Sequence, residues 1–280
     1  MRRLAGWAAC AALGAGTMVP AAAQNVPDLV AHDTLRVCAD PHLLPFSNDR
    51  GEGFENHIAT RLAKALGEAL TYVWYPESSG FLRNTLGAQR CDVVMGLPSG
   101  GGEATTTPAY YHTGYVVVTR AADHIAATSL SDPVFATLRL GVIAGTPPSD
   151  LLLAHDLMGQ ATIYQLVVDT RHDSPSLAMM DDVASGRIDA GLVWGPYAGW
   201  AVTHEGLKLH IAFLQAEPGH PRLDYTIGMG VRPNETQWAR QLAAVASAQK
   251  AEIEHDLIEA GVPLLDSRNQ PLFMPGTKAE

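Results

Sequence analysis

Two glutamates, Glu52 and Glu55, lie three residues apart at the end of the stretch CADPHLLPFSNDRGEGFE, residues 38–55. Paired carboxylates can divide acid and base work, or hold a divalent cation, when a fold brings them together. The same spacing places both acids at the start of a helix, where they would complement the positive helix N-terminus. The helix interpretation is favoured, and the acid–base pair stays open beside it.

The loop before these acids has the composition of a tight turn with an apolar tip. Asp40 follows an apolar run, and Pro45 and Phe46 form the tip. Proline and aspartate favour turns, so the loop can be purely structural. Because loops at the carboxyl ends of strands commonly bind small molecules, the loop is also predicted to be a cleft wall.

Motifs for cofactors and nucleophiles are absent from the sequence. The glycine-rich stretch GLPSGGGEATTTP, residues 96–108, lacks the Gly-Lys-Ser/Thr ending of a phosphate-binding loop. The eleven histidines are scattered without HExxH spacing, and no GxSxG or CxxC occurs. The sequence therefore predicts no metal, no cofactor and no catalytic residue, and it indicates a protein that is not an enzyme.

The first 23 residues have the three parts of a secretory signal peptide. Arg2 and Arg3 begin it, a short apolar run follows, and small residues lead to a cleavage site near Ala23. The apolar run is too short for a stable membrane anchor. The pattern predicts export to the periplasm.

The remaining chain is acidic. Without Arg2 and Arg3 it carries 17 basic and 29 acidic residues, a net charge of −12. Affinity for nucleic acid depends on neutralising phosphates, so we expect no nucleic acid partner.

Two cysteines, Cys38 and Cys91, follow the signal segment, and both lie in apolar runs typical of strands. An oxidising compartment favours a disulfide between them. Two buried reduced thiols are the alternative, because strand register decides whether the Cα atoms come close enough.

Short apolar runs alternate with helical patterns along the chain. Ile58, Leu62 and Leu66 recur every four residues and make one apolar helix face, which Gly67 ends. The β-α-β order predicts a parallel sheet with helices on its faces. The predicted strands include residues 35–39, 70–76, 91–96, 114–119, 161–168 and 189–194; a second helix covers 80–90, and one long helix ends the pattern.

The pattern restarts near residue 120, and a final strand and helix follow residue 223. We therefore predict two α/β lobes joined by two crossings, with lobe I from residues 24–119 and 224–280 and lobe II from residues 120–223. A ligand cleft would lie between the lobes, at the carboxyl ends of the strands.

The chain resembles extracellular solute-binding proteins of the amino-acid-binding type in the order LRVCADPHLLPFS, GFENHIATRLAKALG, CDVVMG, GYVVVT, LRLGVIAGT, ASGRIDAGLVW and YTIGMGVRP. More specifically, it resembles the MxaJ/XoxJ family in LRVCADPHLLPFSN, GEGFEN, GFLRNTL, RCDVVMG and TTTPAYYHTGYVVV. The resemblance implies a bilobal type II periplasmic-binding-protein fold with a hinge. It also implies a periplasmic accessory protein, encoded with a PQQ-dependent methanol dehydrogenase, that binds the apo or immature enzyme.

Three positions differ from those of amino-acid-binding proteins. No arginine or lysine occurs in residues 96–107, where an arginine usually clamps the ligand carboxylate. Gly195 and Pro196 follow the strand at 189–194 in place of an acid, and His57 stands where the early helix often has one. These losses argue against a free amino acid as the ligand.

The residues predicted to line the cleft or contact a partner come from the loop, the early helices and the segment WGPYAGW. Tryptophan and tyrosine are enriched in interface hot spots, although the same rings can pack the core of lobe II. The set comprises Asp40, Pro45, Phe46, Glu52, Phe54, Arg83, Trp194, Tyr197 and Trp200.

Two other functions stay open. A solute-binding protein that feeds an ABC transporter would hold a small ligand other than a standard amino acid. An enzyme on the same fold, such as a dehydratase or a lytic transglycosylase, would need a catalytic constellation that the sequence lacks.

Overall fold

The structure, a computed structural model, describes residues 29–276. The predicted signal peptide and its cleavage site near Ala23 lie outside these residues. The strands are β1 (Thr34–Ala39), β2 (His42–Leu43), β3 (Ser47–Asn48), β4 (Ala69–Trp74), β5 (Val93–Pro98), β6 (Thr105–Thr106), β7 (Tyr111–Arg120), β8 (Leu140–Ile143), β9 (Ala161–Tyr164), β10 (Ala190–Trp194), β11 (Leu209–Phe213), β12 (Asp224–Val231), β13 (Leu264–Leu265) and β14 (Pro271–Phe273). The helices are α1 (Phe54–Leu66), α2 (Phe81–Asn84), α3 (Pro147–Ala154), α4 (Pro175–Ala184), α5 (Gly195–Thr203), α6 (Thr236–Ala248) and α7 (Lys250–Glu259).

One sheet runs through the molecule in the strand order β4-β1-β5-β12-β7-β10-β8-β9. Strand β1 pairs in parallel with β4 and β5, and β8 pairs in parallel with β9 and β10, as the β-α-β order predicts. The central pairs, β12 with β5 and β7 with β12, β10 and β11, are antiparallel. The sheet is therefore mixed, with parallel pairing toward its two edges.

Strand β7 belongs to both halves of the sheet. Its residues 111–114 pair with β12, and its residues 115–120 pair with β10 and β11. One buried apolar cluster draws on residues 30–111 and 227–264, and two others draw on residues 116–223. This arrangement fits a lobe built from both ends of the chain. The lobe boundaries at 119/120 and 223/224 stay a prediction.

Helix α1 forms as its apolar spacing predicts. Ile58 and Leu62 are fully buried in the first core cluster, and Gly67 ends the helix in a left-handed conformation with φ 74°. At the other end the Asn56 side-chain oxygen accepts the N–H groups of Asn48 and Gly53, at 3.0 and 3.1 Å. The Asn56 amide thus makes the N3 hydrogen bond of a capping box, and Glu55 lies in the first helical turn as predicted, whereas Glu52 precedes the helix.

Three segments differ from the predicted elements. The helix predicted for residues 80–90 stops after α2, because Gly87 is a weak helix former and Gln89 adopts a left-handed conformation with φ 58°. The long C-terminal helix is divided at Gln249 into α6 and α7. Helix α5 begins with Gly195 and Pro196, which concealed it in the sequence, although proline is well tolerated in a first helical turn.

Cys38 and Cys91 form a disulfide, with their Cα atoms 5.5 Å apart, so the predicted bridge is confirmed. It forms because β1 and β5 are neighbours, with Cys38 opposite Val94 in the register. The bridge is buried in a small apolar cluster that includes Phe81 and Leu86. It closes a loop of 53 residues that contains α1, β4 and α2.

Replacing both cysteines with alanine should destabilise the protein by about 4 kcal/mol, because the unfolded chain regains the entropy that the closed loop removes. A loss of this size lowers the melting temperature by about 10 °C. Calorimetry measures the loss, and reductant added to the wild type is the matched control. Reductant should lower the melting temperature of the wild type to that of the variant and leave the melting temperature of the variant unchanged. Two free thiols in the unreduced wild type would contradict the prediction.

Candidate functional site

A cavity of about 600 Å³ lies between the two halves of the sheet. Its walls come from the ends of β1 and β5, the loop after β9 and the start of α5, where the sequence predicts a cleft. The cavity is open space and is not filled by the side chains around it. Its aromatic lining consists of Phe46, Phe81, Tyr111, Tyr115, Trp194, Tyr197 and Tyr225.

Two glutamates line the cavity: Glu55 from the first turn of α1 and Glu77 from the segment after β4. Burial raises the pKa of Glu55 to about 8, and the charge of Glu77 adds to the rise. Burial also raises the pKa of Glu77 to about 7, with a contribution from Asp40. Solvent reaches the exposed Glu77 side chain through the cleft, so we expect a smaller rise there than at the half-buried Glu55.

Among the described residues, these two carboxyl groups have no arginine or lysine beside them in the cavity lining. Within residues 29–276, neither carboxylate accepts a hydrogen bond, and no arginine or lysine lines the cavity. A Cβ atom on residue 96 would overlap Oε1 of Glu55. The Glu55 carboxyl group can lie this close to the β5 backbone only because residue 96 is glycine. Because its pKa is about 8, Glu55 is mostly protonated at neutral pH, and a cationic ligand that pairs with it would favour its ionised form.

Asp40 is a fully buried anchor beneath the cavity wall. Its carboxylate accepts the backbone N–H groups of His42 and Glu77, at 2.8 and 2.7 Å. It also accepts the hydroxyl group of Thr170, at 3.0 and 3.2 Å, from the loop that follows β9. One carboxylate thus positions the predicted loop and Glu77 and joins them to the opposite side of the cleft.

The apolar tip of the loop makes a second contact across the cleft. Pro45 is buried, and its carbonyl oxygen accepts the Phe54 N–H at 3.0 Å. The Phe46 ring packs edge-on against Tyr197, with ring centres 5.3 Å apart, and both residues line the cavity. A Cβ atom at Gly53 would overlap the Phe46 carbonyl, so glycine is required there.

Trp194 ends β10 and lies half-buried at the cavity wall. Its ring packs against Tyr115 and Tyr225, with ring centres 5.1 and 6.0 Å apart. Tyr225 belongs to β12, so this aromatic group also spans the two halves of the sheet. The structure thereby brings Phe46, Trp194 and Tyr197 from the predicted set together around the cavity.

Six predicted residues lie outside the cavity lining: Asp40 and Pro45, described above, and Glu52, Phe54, Arg83 and Trp200. Glu52 is exposed, and hydrogen bonds from Asn48 and Arg50 lower its pKa, so it has surroundings separate from those of Glu55. Phe54 is fully buried in the core. The exposed Arg83 and the half-buried Trp200, whose ring stacks on His204 at 3.7 Å, remain predicted partner contacts.

The sequence-based prediction missed Glu77, Thr170 and Tyr111. Glu77 follows the strand predicted for residues 70–76, and this position at a strand's carboxyl end was the available signal. Thr170 was hidden because the apolar run 161–168 predicts a longer strand than β9, which ends at Tyr164. Nothing in the local sequence distinguishes Tyr111 from Tyr110 as a cavity residue.

Helix α7 brings together His255, Asp256 and Glu259, whose potential ligand atoms lie within 4.8 Å of one another. Asp256 already accepts two hydrogen bonds from Arg61, at 2.7 and 2.9 Å. Because the arginine neutralises the most buried member, the group has the character of a surface ion-pair cluster rather than a metal centre.

Known proteins confirm the resemblance. The chain is 32% identical over 250 residues to Protein MoxJ of Methylorubrum extorquens strain AM1, which covers 84% of this chain and 83% of the relative. It is 29% identical over 272 residues to Protein MoxJ of Paracoccus denitrificans, which covers 91% of this chain and 96% of the relative. This chain belongs to the MxaJ/XoxJ family. No family model matches the chain.

Solved structures share the fold of this chain. The periplasmic binding protein XoxJ from Methylobacterium extorquens AM1 matches with a TM-score of 0.71 and 36% identity, over 83% of this chain and 100% of that chain. MxaJ from Methlophaga aminisulfidivorans MPT matches with a TM-score of 0.75 and 24% identity, over 82% of this chain and 100% of that chain. The predicted two-lobed α/β periplasmic-binding-protein fold of this MxaJ/XoxJ-family protein is thereby confirmed.

Replacing Thr170 with valine should weaken the contact across the cleft by about 1–2 kcal/mol, because Asp40 loses the one donor from the far side. We expect a larger radius of gyration in small-angle X-ray scattering as the cleft opens more often. Thr162→Val, on the exposed edge strand β9, is the matched control. A scattering profile identical to that of the control would show that this hydrogen bond does not hold the cleft.

Replacing Glu55 with glutamine should stabilise the protein at pH 9 and leave its stability nearly unchanged at pH 5. The folded-state pKa of about 8 lies above the unfolded value, so wild-type stability falls as pH rises from about 5 to 9 while glutamine avoids the buried charge. We expect the variant to melt about 2–4 °C higher at pH 9, measured by calorimetry. Glu52→Gln is the control. If the difference in melting temperature between the variant and the wild type does not change with pH, the raised pKa of Glu55 is contradicted.

Proposed function

We propose that this protein is a non-enzymatic periplasmic accessory protein that binds a PQQ-dependent methanol dehydrogenase in its apo or immature form and helps it to mature. Membership of the MxaJ/XoxJ family is the observation that carries the proposal, because the family resemblance implies this partner. The protein would act by contact with the enzyme and would hold no cofactor of its own.

The composition of the cleft supports a role other than amino-acid import. The cavity lining contains no arginine or lysine among the described residues, so a ligand carboxylate finds no cationic clamp there. The glycine-rich segment 99–104 carries Ser99, three glycines and Glu103 where amino-acid-binding proteins place that clamp. A free amino acid is therefore a poor ligand for this cleft.

The proposed location is the periplasm, reached through the predicted signal peptide. The match to a periplasmic binding protein at 36% identity supports this location, as does the buried Cys38–Cys91 disulfide, because disulfides persist in oxidising compartments. Among the helices of residues 29–276, none has the length and apolar character that a bilayer crossing requires.

The proposed partner surface surrounds the mouth of the cleft and the outer side of α5. Trp200 is half-buried on α5, six residues beyond Trp194 at the cavity wall. Partly exposed tryptophans are the residues most often found to dominate binding energy in protein interfaces. Arg83, exposed on α2, adds a positive group to this acidic protein and is a second proposed contact.

The dehydrogenase of the same organism should co-purify with the immobilised protein, and the apo form should bind more tightly than the holo form. Trp200→Ala should weaken binding about thirtyfold, equivalent to about 2 kcal/mol for a hot-spot tryptophan. Trp74→Ala, a half-buried tryptophan on β4 at the sheet edge, is the matched control and should bind normally. Melting temperatures of both variants confirm folding. No association with either enzyme form, at low, physiological and high salt, would contradict the proposal.

A second candidate function is supported by the open cavity. A volume of about 600 Å³ falls within the range of small-molecule sites, so a solute-binding role for a ligand that is not an amino acid is compatible with the structure. In this case the protein would deliver a solute to an ABC transporter.

A further inference from the structure

The cavity wall carries acidic side chains that can pair with a cation when they are ionised. Glu55, Glu77 and Asp173 line it, and the buried Asp40 lies behind it. Over the described part of the chain, the lining includes His42 but no arginine or lysine. A cleft lined by one sign of charge concentrates ligands of the opposite sign, and it repels carboxylates and phosphates.

The aromatic lining suits a cation that also has an apolar body. The electron-rich faces of tryptophan and tyrosine rings attract ammonium groups, most strongly where water is excluded. One cavity ring already takes part in such a contact, because the guanidinium carbon of Arg222 lies 5.5 Å from the Tyr225 ring centre. Acids and rings in one cavity therefore satisfy both the charged and the apolar parts of an organic cation.

A bare metal ion fits the same cavity less well. Ca²⁺ and Mg²⁺ need several oxygen ligands that converge on one point. In residues 29–276, no group of three potential ligands converges in this cavity. The open volume of about 600 Å³ also far exceeds that of a single ion. The ligand should therefore be a molecule that fills space as well as a charge that pairs with Glu55.

We propose that the cavity binds an organic ammonium group that carries no carboxylate, with Glu55 as its counter-ion and the aromatic wall around its apolar body. The Asp40–Thr170 and Phe46–Tyr197 contacts hold the two sides of the cleft around this ligand. The inference rests on the cavity and not on the proposed dehydrogenase partnership. It specifies the ligand class of the second candidate function.

Isothermal titration with matched probes tests the charge requirement. The cations are choline, benzyltrimethylammonium and phenethylammonium, and 3,3-dimethyl-1-butanol is the neutral counterpart of choline with nearly the same shape. Titrations run at pH 9, above the pKa of Glu55, so that its carboxylate is ionised. At least one of the three cations should bind. If choline binds, its affinity should be at least tenfold higher than that of 3,3-dimethyl-1-butanol. Benzyl alcohol serves as the neutral comparison for the aromatic cations.

Variants identify the counter-ion. Glu55→Gln should weaken cation binding at least tenfold, whereas Glu52→Gln, an exposed glutamate of the same loop, should leave it unchanged. Glu77→Gln should have a smaller effect because solvent screens that carboxylate. The comparison of charged and neutral probes on the wild type keeps the test decisive even if a variant fails to fold.

A lysine side chain of a protein offers the same ammonium chemistry as a free amine. Titration with the peptide acetyl-Gly-Lys-Gly-amide, and with its acetyl-lysine form as control, separates the two sources. Binding of the lysine peptide with no binding of free amines supports the site and assigns it to a protein segment. Binding of free amines assigns it to a solute, whether or not the dehydrogenase co-purifies. No binding of any cation, or equal binding of charged and neutral probes, overturns the proposal.

Discussion

The architecture depends on one buried carboxylate, Asp92, which is fully shielded from solvent. It accepts paired hydrogen bonds from Arg36 at 2.6 and 2.7 Å and another from Arg232 at 2.7 Å, and its backbone oxygen accepts the indole N–H of Trp238. An unpaired charge at this depth would cost several kcal/mol, so these partners must be in place together. The two segments that supply them, β1 with Arg36 and residues 232–238 after β12, lie far apart in the chain. Their convergence is what makes one lobe from its two ends.

The same strands that Asp92 joins also build the site. Strand β1 carries Arg36 and leads into Asp40 at its carboxyl end, and β5 begins just after Asp92 and reaches the cavity at Gly96. Because the two strands are parallel neighbours, their carboxyl ends meet at one rim, and the disulfide links β1 near that rim to Cys91, just before β5 begins. This lobe therefore presents Glu55 on α1 and Glu77, whose backbone N–H is held by Asp40, on the segment after β4. The loop with Thr170 completes the site from the other side.

Sequence reasoning succeeds where the cause is local and fails where it is tertiary. Helix α1 and its end at Gly67 follow from residue spacing and backbone preference, and the cleft at the strand ends follows from β-α-β order. The pairing of Cys38 with Cys91 depended on register, which the sequence left open. The contact of Thr170 with Asp40 joins residues 130 positions apart, and no local pattern encodes it. For the same reason Glu52 and Glu55, adjacent in sequence, have different surroundings in the fold.

Asp92 and Glu55 are both at least partly shielded from water, but they differ in whether a positive side chain neutralises the carboxylate. Asp92 is neutralised by two arginines and serves stability. Glu55 accepts no hydrogen bond within the described residues, and burial raises its pKa to about 8. A raised pKa caused by burial beside a second acid, in a cavity rather than in a packed core, is characteristic of functional sites. Amino-acid-binding proteins use a cationic clamp and an acid after the strand that corresponds to β10; this cleft has neither at those positions, and Glu55 and Glu77 line it instead. An organic cation is the ligand class that fits these groups, because it would pair with Glu55 and pack against the aromatic rings without needing a cationic clamp.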